Sequence, residues 1–125
     1  MHLNELITLI RNTLLAVHPR VWLERAPVDA VYPYLLFRLT NSKVVEGGED
    51  FILDVMAHDT SDDATALDQL ADDAAAALDR LSHRGTSLAA RFYRLGRKMV
   101  EDENKPDLRC RELRFKVKVQ FITGA

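Results

Sequence analysis

The sequence contains a single cysteine, Cys110, and this scarcity excludes an internal disulfide. A chain of 125 residues, 47% of them hydrophobic, can still bury about two-thirds of the surface that its unfolded form exposes. We therefore expect one domain, residues 1–125, that folds without disulfides or metal. Because no second cysteine accompanies Cys110 and no histidine can be assigned as its base, we interpret it as a bystander thiol in a reducing compartment.

Long apolar runs are also missing. The most apolar stretch, residues 3–17, has no basic leader before it and is interrupted by four polar residues, Asn4, Glu5, Arg11 and Asn12. The sequence therefore predicts neither a signal peptide nor a membrane span.

Residue patterns that carry catalysis or metal binding are missing as well. The histidines lack the spacing that brings two ligands to one metal: His2, His18, His58 and His83. Gly47 and Gly48 are not followed by a helix with Lys and Ser or Thr, so they do not form a phosphate loop. Adjacent aspartates such as Asp72 and Asp73 point about 100° apart on a helix and do not share a substrate. We predict no enzymatic activity, no cofactor and no metal site.

Charge is present in quantity, and it is divided along the chain. The formal net charge is only −2, but residues 59–81 hold seven acids against Arg80, whereas residues 84–118 hold eleven Lys and Arg against five acids. The two segments could lie as separate solvated surfaces, close on each other within one subunit, or match the acidic surface of one copy to the basic surface of the next.

The hydrophobic spacing predicts the first half of the fold. Apolar residues recur at helical intervals over residues 3–17, and Pro19 stops the pattern. A short strand is predicted at residues 21–24, followed by an irregular crossing with two prolines. Residues 34–44 and 51–58 alternate as strands, and the glycines of residues 46–49 indicate a hairpin loop between them.

The second half begins with the clearest helix. Residues 59–62 offer N-cap oxygens, an apolar stripe runs from Leu67 to Leu81, and residues 82–85 end the helix. Residues 87–100 form a predicted strand in which Gly96 suggests a bulge, and residues 101–107 a polar loop. The closing strand, residues 111–121, alternates throughout. Apart from Arg111, it has an apolar face backed by a mostly cationic one.

These elements predict an α+β fold with a mostly antiparallel four- to five-stranded sheet and two helices packed on one face. The second sheet face is then partly uncovered and becomes a plausible contact surface. If the charged segments meet across subunits, we expect self-association through five residues, Asp68, Asp72, Arg114, Lys116 and Lys118.

Nearly the whole chain carries a resemblance to one family. It is borne by the amphipathic first helix, the strand Val-Trp-Leu-Glu at 21–24, the proline-containing stretches at 26–27 and 32–37, the strand ending in His58-Asp59 before an Ala- and Asp-rich helix, and Glu-Leu-Arg-Phe-Lys-Val at 112–117. Together these features resemble the tail-terminator or tail-completion proteins of long-tailed phages and prophages.

The resemblance implies a structural role in virion assembly. Such a protein forms a homo-oligomeric ring, commonly a hexamer, that caps the tail tube and provides the surface for head-tail joining. Its partners would be further copies of itself, the tail tube protein and the head-tail connector protein, with DNA passing through the lumen without sequence recognition. It would reside in the tail or neck of the virion, and in the host cytoplasm during assembly.

Two alternatives stay open at this point. One is a head-completion or neck protein, and the other is a small nucleic-acid- or protein-binding module. Basic strands interleaved with Phe92, Tyr93 and Phe115 superficially fit single-strand binding. However, Phe115 has the apolar parity of the closing strand, and the overall isoelectric point near 6.1 argues against a dedicated nucleic-acid binder.

Overall fold

The computed structural model describes residues 2–60, 64–102 and 105–122. Within them, two helices and six strands follow one another in the order α1 (His2–Leu15), β1 (Val21–Leu23), β2 (Tyr34–Val45), β3 (Gly48–Asp59), α2 (Thr65–Leu78), β4 (Ser82–Arg84), β5 (Leu88–Asp102) and β6 (Lys105–Phe121). The strands form one sheet in the spatial order β1-β2-β3-β6-β5-β4. The α+β class is therefore confirmed.

The sheet differs in detail from the prediction of four to five strands. It has six strands in the described residues, because Ser82–Arg84, predicted to end the second helix, instead pairs antiparallel with β5 at the sheet edge. At the opposite edge β1 pairs parallel with β2, so the sheet is mixed although its other pairs are antiparallel. The predicted short strand at residues 21–24 is confirmed as β1, whereas β4 has only three residues, too few for a sequence period to reveal.

The predicted β2–β3 hairpin is present, with a tighter connection than expected. Val45 pairs with Gly48, so Glu46 and Gly47 alone form the loop. Gly47 has a φ of +76°, a conformation in which glycine avoids the steric penalty of a Cβ. A Cβ at Gly48 would clash with the backbone oxygen of Val119 on β6, so a larger residue there would disturb the β3–β6 pairing.

The second helix starts later and ends earlier than predicted. Its N-cap position is Ala64, which makes no side-chain capping hydrogen bond, whereas Asp59 ends β3 and its carboxylate accepts a bond from the Thr60 N–H at 2.8 Å. The predicted cap oxygens of Ser61 and Asp62 lie outside the described residues. Because the chain is still extended at Asp59, the helix cannot begin there.

The long β5–β6 hairpin replaces most of the predicted polar loop at residues 101–107. Glu101 pairs with Arg109 and Asp102 with Lys105, while residues 103 and 104 lie outside the described residues. Backbone pairing between strands does not require apolar side chains, which is why a polar composition misled the prediction. The predicted bulge at Gly96 is confirmed by a register shift between Arg94 and Gly96.

A single hydrophobic core lies between the two helices and one face of the sheet. The helices contribute Leu6, Ile10 and Leu14 from α1 and an apolar stripe from α2. The three most voluminous fully buried side chains, Phe37, Phe92 and Phe115, come from three different strands. Both helices thus cover the same face, as predicted, and leave the other face of the sheet without a helical layer.

One carboxylate ties the first helix to the β4–β5 connection. Glu5 accepts hydrogen bonds from the backbone N–H groups of Thr86 at 2.9 Å, Ser87 at 3.3 Å and Leu88 at 3.0 Å. Desolvation alone would raise the pKa of Glu5, but these donors and the Ser87 side chain outweigh it, so the net effect lowers that pKa. A Cβ on Gly85 would lie 2.6 Å from a Glu5 carboxylate oxygen, so glycine leaves room for this contact.

Candidate contact surface on the outer face of the sheet

We define the outer face as the side of the sheet opposite the helices. Strand alternation brings charged and apolar side chains from five strands to it, because residues i and i+2 of a strand share a face and register aligns them across strands. Its central members are Arg38, Asp50, Ile52, Asp54, Met56, Arg91, Tyr93, Lys98, Glu112, Arg114, Lys116 and Lys118.

The middle of the outer face is a ladder of opposite charges. Arg114 Nε donates to Asp54 Oδ1 at 2.9 Å, and its Nη2 lies 3.9 Å from a Glu112 carboxylate oxygen. Lys116 Nζ lies 3.9 Å from Asp50 Oδ2. The hydrogen bond and the charge of Asp54 raise the pKa of Arg114 above its ordinary value. These cations already have partners within the chain.

Toward the β4 edge three cations lie together, next to Asp50, which is opposite Lys118 in the β3–β6 register but lies 3.9 Å from Lys116 Nζ. Arg91 on β5 lies directly opposite Lys118 on β6, and Arg84 on β4 shares their face; all three side chains are exposed. In the part of the chain that the structure describes, no carboxylate oxygen lies within 4 Å of these three cations. We call Arg84, Arg91 and Lys118 the cationic sheet patch. Like charges directly opposite each other destabilise a strand pair, whereas the opposite charges of the ladder beside the patch stabilise it.

The acidic members of the predicted self-association set lie on α2, on the other side of the sheet. Asp68 Oδ1 accepts from Arg111 Nε at 2.6 Å, and Asp72 Oδ1 lies 2.6 Å from Arg97 Nη2. Arg111 and Arg97 project from the helix-covered face of the sheet, since they pair with Ala57 and Leu113 of the core. The structure therefore does not bring Asp68 or Asp72 to the outer face.

Most of the five predicted self-association residues are already in ion pairs within the chain. Four of them, Asp68, Asp72, Arg114 and Lys116, are in ion pairs within the chain, and only Lys118 has no such pair among the described residues. Their role between subunits stays a prediction. The sequence reading missed Arg84 and Arg91, although both lie in the basic segment, because strand register decides which cations of that segment cluster.

A second cluster at the β2–β3–β6 end joins His58 to Cys110. The Cys110 Sγ lies 3.9 Å from His58 Nε2, and the Tyr34 ring stacks on His58 with 5.0 Å between ring centroids. Desolvation, then the charge of Glu112, raises the pKa of Cys110 to about 11 against the smaller opposing effect of Arg111. Sequence reasoning assigned no histidine to this thiol, since the pair is 52 residues apart and meets only through strand register.

The chemistry of this cluster is that of a protonated, inert thiol. Desolvation, followed by the charge of Arg38, lowers the pKa of His58, so neither His58 nor Cys110 is charged at neutral pH.

Across the described residues, no group of three or more His, Cys, Asp or Glu side chains is placed to hold a metal ion. The described helices also include none that is long and apolar enough to cross a membrane.

Comparison with known proteins identifies the fold. No protein-family model matches the chain, and no curated protein matches its sequence. Among solved structures 22 chains match, including one from a structure titled "Virion of native gene transfer agent (GTA) particle". That chain has a TM-score of 0.72 and 15% sequence identity, over 89% of this chain and 91% of that chain. The likeness establishes a shared fold over nearly the full length of both chains.

Proposed function

We propose that this chain is a structural protein of a phage or phage-like virion, and more specifically a tail terminator. The observation that carries the proposal is the near full-length fold likeness to a chain of a gene transfer agent virion, at a TM-score of 0.72. The sequence resemblance to tail-terminator and tail-completion proteins supports the finer assignment. The proposed location is the tail or neck of the virion, with assembly in the host cytoplasm.

The proposed role is mechanical and not enzymatic. A tail terminator acts by occupying the end of a polymer, so it requires complementary surfaces and no reacting groups. An open sheet face that carries an ion-pair ladder and a separate cationic patch suits such contacts. In this proposal the copies form a ring, a hexamer by resemblance, around a lumen that DNA crosses without sequence recognition.

Contacts with the tail tube protein and the head-tail connector protein would come from protruding elements. The tip of the β2–β3 hairpin is one candidate, because Val44 is 73% exposed there and Val45 is 36% exposed. Exposed apolar side chains at the end of a long hairpin are available for burial against another protein. The irregular segment between β1 and β2 offers two more, with Val28 and Val31 both largely exposed.

The experiment is deletion of the gene in the phage or prophage that encodes this chain, followed by electron microscopy of the lysate. A tail terminator limits a growing polymer, so we expect tails that exceed their normal length and DNA-filled heads that fail to join them. Supplying the wild-type chain in trans should restore normal length and joining, which is the control for polar effects on neighbouring genes.

Two other outcomes would contradict the tail-terminator assignment. Tails of normal length attached to heads would refute it. Tails of normal length beside unattached, filled heads would reassign the chain to head completion at the neck. A defect confined to DNA replication or packaging would instead indicate a nucleic-acid-binding module.

A further inference from the structure

Two exposed surfaces of opposite charge lie on opposite sides of the molecule. One is the cationic sheet patch on the outer face. The other, which we call the acidic helix face, lies toward the C-terminal end of α2 and consists of Asp73 on the helix and Asp79 at its C-cap, both exposed. Because the sheet and its core lie between the two surfaces, they cannot meet within one subunit.

The acidic helix face is slim as well as charged. Ala76 is exposed and lies one helical turn from Asp73, and Asp79 at the C-cap is three residues further along the chain. The small methyl group of Ala76 adds little bulk beside these carboxylates, so another chain can approach closely. Asp73 accepts a hydrogen bond from Gln69 Nε2 at 2.8 Å, and no cation lies within 4 Å of Asp73 or Asp79 in the described residues.

The cationic sheet patch is accessible to a partner. It borders an open groove of about 410 Å³ that also includes Tyr93, a residue 40% exposed on the same face as Arg91. Arg91 and Lys118 repel each other across the strand pair, and an anionic partner would convert this cost into attraction. The chain as a whole carries a net charge of −2, which disfavours a nucleic acid as that partner.

We propose that the occupant of the cationic sheet patch is the acidic helix face of a second copy of this chain. The contact is heterologous: each copy donates its helix face to one neighbour and its sheet patch to another, so association continues until a ring closes. The inference rests on the proposed function, which requires a ring, and it names the surfaces that build that ring. It replaces Asp68 and Asp72, which are paired with Arg111 and Arg97, with Asp73 and Asp79.

The experiment uses two charge-reversed variants that each disable one surface. The first is Asp73→Lys/Asp79→Lys, which removes the acidic helix face and keeps the sheet patch. The second is Arg91→Glu/Lys118→Glu, which removes the patch and keeps the helix face. All four residues are exposed and outside the core, so the fold should survive, and circular dichroism checks that it does.

Sedimentation velocity over a concentration series at low ionic strength distinguishes the outcomes. We expect the wild type to form oligomers larger than a dimer, and added salt to weaken them, since the Debye length falls below about 10 Å above 0.1 M. Each variant alone should sediment as a monomer. An equimolar mixture of the two should again form oligomers larger than a dimer, because the intact patch of the first variant meets the intact helix face of the second and the two reversed surfaces also attract each other. Combining all four substitutions in one chain should restore self-association.

Matched controls reverse the same number of exposed charges elsewhere. Arg11→Glu/Arg25→Glu controls for the patch variant and Asp29→Lys/Glu46→Lys for the helix variant; all four residues are exposed. Both controls should assemble as the wild type does.

Three results would overturn the inference. A wild type that stays monomeric throughout the series is one, and oligomers indifferent to both variants are another. The third is a patch variant that loses affinity for a duplex DNA probe while its oligomers are unchanged, which would make the patch a nucleic-acid surface. The proposed function fails separately, on tail length in lysates, so a failed interface would leave the tail-terminator assignment standing.

Discussion

The Asp68–Arg111 pair provides a test of how the acidic helix is anchored to the sheet. Arg111 points into the helix-covered side of the sheet with only 8% of its side chain exposed, and its Nε lies 2.6 Å from Asp68 Oδ1. Arg111 also donates from Nη1 to the Cys110 carbonyl at 3.3 Å. The substitution Asp68→Ala would leave this buried guanidinium without its counter-charge.

The expected magnitude lies between two limits. Removing one partner of a fully buried pair costs about 3–5 kcal/mol, whereas exposed pairs contribute about 1 kcal/mol or less. Asp68 is 42% exposed, so water can partly replace it and the buried limit must be discounted. We expect Asp68→Ala to lower the free energy of unfolding by about 2 kcal/mol, which corresponds to a fall in Tm of about 6–10 °C for a chain of this size.

The assay is urea denaturation of Asp68→Ala beside Asp73→Ala. The control removes a carboxylate five residues along the same helix, where the side chain is exposed and bonded only to Gln69 among the described residues, so we expect roughly 0.5 kcal/mol or less. The double variant Asp68→Ala/Arg111→Met should regain most of the lost stability, because it removes the buried charge. Equal losses for Asp68→Ala and Asp73→Ala would refute the reasoning.

Three further predictions concern the core, the Glu5 contact and the thiol. Phe115→Ala should lower the free energy of unfolding by about 3–5 kcal/mol in urea denaturation, because the ring is fully buried; a loss below about 1 kcal/mol would contradict this packing. The folded-state pKa of Glu5 is lowered, so its contribution to the free energy of unfolding should be fully present above about pH 4.3, the pKa of glutamate in the unfolded chain. That contribution should disappear as the pH falls through the folded-state pKa. Urea denaturation across this range should show Glu5→Gln less stable than the wild type only at the higher pH. With a pKa of about 11, Cys110 should react with a thiol reagent far more slowly in native protein than in urea, and equal rates would disprove its burial.

The sequence predicted the long helices and strands well because the spacing of apolar residues within each one is enough to recognise it. The helical spacing of Leu6, Ile10 and Leu14 can be recognised from the sequence alone. The alternation of β6 likewise predicts correctly that Phe115 is buried and Arg114 exposed. The turn at Gly47 and the bulge at Gly96 were also readable, since glycine marks both kinds of backbone irregularity.

Other features had no local signal. The edge strand β4 exists because the longer strand β5 offers it a hydrogen-bonding partner, and the polar residues 105–107 are extended because they pair in the β5–β6 hairpin. The start of α2 was misplaced because β3 pairs with β6 as far as Asp59, and that pairing overrides the capping preference of the residues that follow.

The sequence by itself determined the fold class, the buried face of each long element and the division of charge along the chain, because these follow from side-chain periodicity and composition. Only the tertiary structure decided which charges meet. Asp68 reaches Arg111 and Asp54 reaches Arg114, while Arg91 is aligned with Lys118, through strand register and helix docking. A shift of one residue in a strand would turn every side chain to the other face, so the grouping of charges into pairs and a patch exists only once the register is fixed.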